Sequence, residues 1–200
     1  MADALENTGF NYPVWLKRPK TSGFSYKDYK NWDDEIRLEL LNGLVYMMAS
    51  PDVRHQIIVG ELYFQLKGQL KGRKCKVFSE LDCRLFYEAD EYDETVVRPD
   101  IIVICDENKF KGKLNCEGPP DFVIEVMSKS SKGRDLIIKK ELYEEAGVKE
   151  YWIVDEDNVH KFLLKDGLYI EDVCAFGQKL QAGVLDSVWL DFKAVAGELG

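Results

Sequence analysis

Apolar residues recur at helical spacing after Ser50-Pro51. Ile58, Val59, Leu62, Tyr63, Leu66 and Leu70 share one face of a helix that turns about 100° per residue and is predicted to run to about Lys71. His55 falls inside the same arc, while Ile57 and Phe64 form a narrower apolar strip on the opposite face. A second helix is predicted from about Lys132 to Ala146, its apolar arc made of Ile138, Leu142, Tyr143 and Ala146. Gly147 is placed to end it in the left-handed conformation. Between the helices the pattern is that of strands, near Cys75–Ser79, Cys83–Tyr87, Val96–Cys105 and Phe122–Met127. Upstream, Asn42-Gly43 reads as a tight turn joining Arg37–Leu41 to Leu44–Met48. Downstream, Tyr151–Asp155 is a predicted strand, and Val159–Leu164 with Gly167–Val173 a terminal hairpin. Ser25 can cap a short helix through Trp32, and residues 1–24, polar with Pro13, Pro19 and Gly23, read as an arm ahead of a single domain over 25–200. Helix, three or four strands, helix, strand is the order of an α/β or α+β fold with a mixed sheet.

The 200 residues, 46% of them hydrophobic, suffice for one sizeable core. No apolar run approaches the roughly 18–20 residues of a membrane span, and the first ten residues lack the basic and apolar segments of a signal peptide. Five cysteines, Cys75, Cys83, Cys105, Cys116 and Cys174, include no C-x-x-C pair; neither a disulfide framework nor a zinc ribbon is indicated, and a reducing, cytoplasmic setting is expected. A net charge of −9 argues against a protein that coats nucleic acid through its overall field. The charge is unevenly spread, however. Residues 141–200 hold 13 acids against 5 bases, whereas Lys67–Lys76 has five bases and no acid, and Lys129–Lys140 five bases and one acid. Glu88–Glu94, with five acids, reads as a solvated loop. A local basic groove is compatible with the acidic whole.

Four charged residues sit where apolar ones belong. In the second helix Asp135 and Lys139 fall within the apolar arc, whereas Lys140 falls on the acidic outer face. An inward lysine and aspartate are costly unless paired or used. One reading is an i,i+4 Asp135–Lys139 pair with the lysine stem reaching outward; the other is a site. Asp100 opens the apolar run Ile101–Ile104, and Glu125 lies within Phe122–Met127, on the face of Val123 and Met127. Carboxylates in interior strands need a metal, a cation or a hydrogen-bond network. Two of them with an inward lysine suit a hard divalent cation such as Mg²⁺, which selects carboxylate oxygens, and a lysine able to orient water or stabilise developing negative charge. A purely structural carboxylate–lysine network is the alternative, and inward His55 is either a hydrogen-bonded core residue or a ligand.

Arg98-Pro99-Asp100 followed by Glu125-Val126-Met127-Ser128 resembles the core of the PD-(D/E)XK nuclease superfamily. The continuation through Asp135, Lys139, Tyr143, Ala146-Gly147-Val148 and Glu150-Tyr151-Trp152-Ile153-Val154-Asp155 is similar to the Uma2 family (DUF820), as are Glu39-Leu40-Leu41-Asn42-Gly43, Ser50-Pro51 and His55 upstream. This resemblance, over roughly residues 25–175, implies a restriction-endonuclease-like fold with a helix, three strands, helix, strand core. It implies Asp100 and Glu125 as metal-binding acids for Mg²⁺ or Mn²⁺, Glu39 as an additional acid, and His55, Asp135 and Tyr143 as supporting candidates. Met127 stands where the superfamily commonly has its lysine; in the Uma2-like pattern the lysine comes from the next helix, at Lys139, which the helical angles also select. The implied activity is Mg²⁺-dependent endonucleolytic hydrolysis of DNA, with a homodimer expected through the Ile57–Phe64 strip. The rival readings are a catalytically silent nuclease-fold protein that binds nucleic acid or a protein partner, and a paired-carboxylate enzyme such as a glycosidase. Phosphate-loop, zincin, nucleophile-elbow and dinucleotide motifs are absent.

Overall fold

A computed structural model describes residues 23–32, 36–127 and 134–200, the side chains of 134–136 excepted. The arm expected over residues 1–24 lies, up to residue 22, outside the described residues. The chain begins with a short helix α1 (Tyr26–Tyr29), then a hairpin of β1 (Leu38–Leu41) and β2 (Leu44–Met47) turned at Asn42-Gly43, where both residues have positive φ. Helix α2 (Val53–Gln69) follows, capped at its start by the Asp52 side chain, which accepts a hydrogen bond from the backbone of His55. Next come β3 (Lys76–Ser79), β4 (Cys83–Arg84), β5 (Val96–Val97), β6 (Ile101–Ile104), β7 (Cys116–Glu117) and β8 (Phe122–Val126). Helix α3 (Arg134–Ala146) ends at Gly147, whose φ of 83° is one that a side chain rarely adopts. The remainder is β9 (Glu150–Val154), the long hairpin β10 (Asn158–Lys165) and β11 (Leu168–Ala175), two short strands β12 (Lys179–Gln181) and β13 (Trp189–Asp191), and helix α4 (Phe192–Leu199).

The strands form a six-stranded mixed sheet in the order β11-β10-β9-β8-β6-β3, a five-stranded sheet β2-β1-β5-β4-β7, and the pair β12-β13. In the larger sheet β8 and β9 are parallel neighbours joined through α3, and every other pairing is antiparallel. In chain order the larger sheet and its flanking helices run α2, β3, β6, β8, α3, β9, with β4, β5 and β7 of the smaller sheet interposed. Each face of this sheet is covered, which is why β6, β8 and β9 are buried throughout. On one face Ile101, Val103, Phe122, Ile124, Trp152 and Val154 pack against Ile58, Leu62 and Leu66 of α2 and against Leu180, Leu190 and Phe192 of the final segment. On the other, Ile102, Ile104, Val123, Tyr151 and Ile153 meet Leu142 and Tyr143 of α3 together with Leu41, Cys83 and Val97 of the smaller sheet.

Three expectations are corrected. Val96–Cys105 is not one strand: β5 belongs to the smaller sheet and β6 to the larger. Pro99, which has no N–H to give a ladder, marks the break. The segment Glu88–Glu94 is not wholly solvated. Asp93 is buried against Arg84, whose Nε lies 2.9 Å from Asp93 Oδ2 and whose guanidinium is held between the rings of Tyr26 and Tyr87. Finally, Cys75 and Cys105 form a disulfide. They flank the in-register pair Lys76 and Ile104 of β3 and β6, so strand pairing sets them opposite one another. Their separation of 30 residues gives no such signal.

Candidate active site

Four elements deliver polar side chains to one buried cluster. Asp100 stands at the entry to β6, held there by the break at Pro99. Its Oδ2 accepts a hydrogen bond of 2.8 Å from the backbone N–H of Val126, at the end of the adjacent β8. Glu125, one residue earlier on β8, points to the α3 face of the sheet. Lys139 Nζ lies 2.9 Å from Glu125 Oε1, and the Tyr143 hydroxyl donates to the same oxygen at 3.0 Å. Lys139 and Tyr143 are four residues apart, hence one above the other on α3. Lys139 also reaches Glu39 of β1, its Nζ 2.8 Å from Glu39 Oε1, which accepts the Arg98 backbone N–H at 2.7 Å as well. His55, in the first turn of α2, sets Nε2 at 3.1 Å from Asp100 Oδ2.

The structure therefore brings together Glu39, His55, Asp100, Glu125, Lys139 and Tyr143, all buried. Asp135 lies in the first turn of α3 with its side chain outside the described residues, and the partners of Lys139 are Glu39 and Glu125. Lys140, adjacent in sequence, is only half-buried and lies over the Phe162 ring. Two contributors carried no sequence signal. Asp82 binds the Arg98 guanidinium, with Oδ1 2.6 Å from Nε, and Tyr29 donates to Asp82 Oδ2 at 3.1 Å. These contacts anchor the residue whose peptide N–H holds Glu39, but they join segments that are remote along the chain.

The electrostatics follow from burial. Glu125 is pushed up to about 7, because desolvation and the neighbouring charges of Asp100 and Glu39 together outweigh the downward pull of Lys139. Burial opposes the charge on Lys139, but Glu125 and Glu39 outweigh it and raise its pKa. Burial likewise opposes protonation of His55, yet the hydrogen bond and charge of Asp100 leave its pKa raised. The hydroxyl of Tyr143 is pushed well above its usual value, first by burial and then by Glu125, so it remains a donor.

Three carboxylates face one lysine and one imidazole, an acidic excess that a divalent cation would offset. Among the described residues, Glu125 Oε2 receives only a long 3.4 Å contact from the Asp100 N–H, and Asp100 Oδ1 accepts no hydrogen bond. No group of three or more His, Cys, Asp or Glu closes into a cation-holding set among the described residues. Two carboxylates with water and substrate oxygens for the remaining positions is the usual arrangement for Mg²⁺, so the donor set fits.

A mixed sheet flanked by helices, with paired carboxylates and a lysine on neighbouring elements, defines a restriction-endonuclease-like fold. The chain belongs to the Uma2 family, whose description is "putative restriction endonuclease" and whose model matches residues 26–193. A crystal structure described as "a putative nuclease belonging to DUF820" from Anabaena variabilis ATCC 29413 is similar at a TM-score of 0.72 and 18% identity, covering 88% of this chain and 99% of that one. At this identity the likeness establishes the fold. A chain of the cryo-electron-microscopy DrdV–DNA complex aligns over 73% of this chain and 13% of its own, with 15% identity and a TM-score of 0.36. No curated protein matches the sequence. Among the described residues no helix is long and apolar enough to cross a membrane.

Proposed function

We propose that the protein is a metal-dependent endonuclease that hydrolyses DNA phosphodiester bonds. The observation that carries this reading is the convergence of Asp100, Glu125 and Lys139 from β6, β8 and α3, with Lys139 Nζ 2.9 Å from Glu125 Oε1. Asp100 and Glu125 would hold Mg²⁺ or Mn²⁺, which when bound acidifies water and polarises a phosphate oxygen. The Val126 N–H and His55 orient the Asp100 carboxylate; Lys139 and Tyr143 orient that of Glu125. Lys139 keeps a fixed positive charge in a site with little water, where charge developing on a phosphate is most strongly stabilised. Glu39 holds Lys139 from the opposite side.

A second reading, a silent nuclease-fold protein that binds nucleic acid or a protein, draws on the same ammonium group: shared between Glu39 and Glu125, it also suffices as structural neutralisation. Purified protein incubated with plasmid and with single-stranded DNA separates the two. The nuclease reading expects Mg²⁺- or Mn²⁺-dependent cleavage that is lost with EDTA and with Asp100→Ala. Binding without cleavage under every metal condition overturns it in favour of the silent protein.

A further inference from the structure

A run of cations that the site does not use begins at Lys67 near the C-terminal end of α2 and continues through the turn after it to the first residue of β3. Lys67, Lys71, Arg73, Lys74 and Lys76 are all exposed. Although the chain has 36 acids against 27 bases, none of these five makes an ion pair among the described residues. Arg73 and Lys76 bond only backbone carbonyls, those of Asp186 and Arg73, and Lys67 lies 6.0 Å from the centre of the Tyr63 ring. Beside them Phe64 leaves 71% of its surface exposed. Its neighbours four residues before and after on the helix are Gly60 and Gly68, and a Cβ built on either would touch nothing within 4 Å. The ring is therefore an aromatic platform with open space on both sides, flanked by Lys67 three residues on.

We infer that this face is an accessory binding surface for a single nucleic-acid strand, in which a base stacks on Phe64 and backbone phosphates meet Lys67, Lys71 and Lys74. Aromatic stacking beside unpaired cations is the combination that holds single strands without reading their sequence. A second copy of this chain, the occupant expected from the Ile57–Phe64 strip, fits this face less well than a nucleic acid, because a two-fold contact centred on it would set the same five bases against themselves. An anionic membrane is a poorer fit than a nucleic acid, because among the described residues only Phe64 and Trp189, whose backbone bonds Gln69, are exposed large apolar residues near this end of α2, too little apolar surface to insert into a bilayer. The inference rests on the nuclease reading for its choice of nucleic acid, but it places the contact elsewhere. Lys67 is about 18 Å along the helix from His55, or about five nucleotide steps of B-form rise.

The test measures binding and cleavage separately. A fluorescent single-stranded oligonucleotide is titrated in EDTA against wild type, Phe64→Ala and the triple variant Lys67→Glu, Lys71→Glu, Lys74→Glu, with circular dichroism as a check on folding. Phe64→Ala should lose roughly 10-fold in affinity. The triple variant should lower the slope of log affinity against log salt by about 2, near 0.7 for each phosphate no longer neutralised. With metal present, both variants should raise KM and leave kcat near the wild-type value. Unchanged affinity and salt slope in the triple variant overturns the surface, whether or not the protein cuts DNA. Equal loss of binding to phosphatidylserine vesicles, with none to the oligonucleotide, assigns the patch to membranes and overturns it as well. A concentration-dependent dimer in light scattering that Phe64→Ala dissolves assigns the face to self-association, with the same consequence. Absence of cleavage by wild type with the binding losses intact removes the nuclease reading and keeps the surface.

Discussion

Lys139 and Lys140 are consecutive residues with opposite fates, because one step of 100° around α3 carries a side chain from the sheet to the solvent side. Lys139 is 6% exposed and bridges two carboxylates, whereas Lys140 extends over the Phe162 ring. Lys139→Ala leaves Glu39 and Glu125 buried without their cation, and removing one member of a buried ion pair costs about 3–5 kcal/mol. Loss of stability and loss of chemistry must therefore be read separately. Cleavage per folded molecule should fall roughly 10²-fold or more if the ammonium stabilises charge at the scissile phosphate. Lys140→Ala should change cleavage little, any effect shrinking with added salt because a partly exposed charge is screened. Melting temperatures and cleavage rates on both variants decide the matter; activity per folded molecule that is equal in the two defeats the role of Lys139. At this scale the sequence was informative, since a polar residue inside an apolar period is visible without coordinates. The exceptions are Asp82 and Tyr29, whose contacts depend on tertiary approach and leave no local mark.

At the scale of elements, the hairpin β10–β11 is clipped to the end of β9 by one imidazole. His160 sets Nε2 3.2 Å from Asp155 Oδ2 and Nδ1 2.9 Å from Glu171 Oε1. Ionised carboxylates only accept hydrogen bonds, so both nitrogens are satisfied only in the doubly protonated ring. Burial opposes that charge, but the hydrogen bonds to Glu171 and Asp155 prevail and the pKa of His160 is raised. A raised folded-state pKa gives stabilisation that is complete below the unfolded value of about 6.5 and is lost as pH rises through the higher folded value. Because the ring is partly exposed, the gain should stay within about 1 kcal/mol. The melting temperature of wild type should thus exceed that of His160→Gln at pH 5.5 and converge with it by pH 9, while a constant gap across that range rules out the clip. Sequence periodicity located both long helices and the hairpin, because each repeats its pattern over several turns or pairs. It fused β5 with β6 because both are apolar and only the break at Pro99 separates them. It missed β7, β12 and β13, whose two or three residues hold no measurable period, and the Cys75–Cys105 bond, which follows from register.

For the whole molecule, the segment after β11 closes the core behind the site. Leu180, Leu185, Val188, Leu190, Phe192 and Val195 cover the face of the large sheet that α2 leaves open. They are held by polar clamps at both sides. Gln65 and Gln69 of α2 each exchange two hydrogen bonds with the backbone of β13, at Asp191 and Trp189. Buried Glu150 of β9 accepts from the Val184 N–H at 2.9 Å and the Trp152 indole at 2.7 Å. The same β9 lies beside β8, which carries Glu125, so the tail supports the strands that place the carboxylates. Deleting residues 177–200 would bare that face. At roughly 1.5–3 kcal/mol for each large apolar side chain whose burial is lost, six such losses are comparable to a typical net stability of about 5–15 kcal/mol. The truncated chain should therefore fail to give a cooperative melting transition. Phe192→Ala, a milder change within the same layer, should cost about 3–5 kcal/mol through the cavity it leaves. Chemical denaturation with a common slope for wild type and Phe192→Ala measures that difference. A truncated protein that melts cooperatively at the wild-type temperature would show that the tail is an appendage and that the site stands without it.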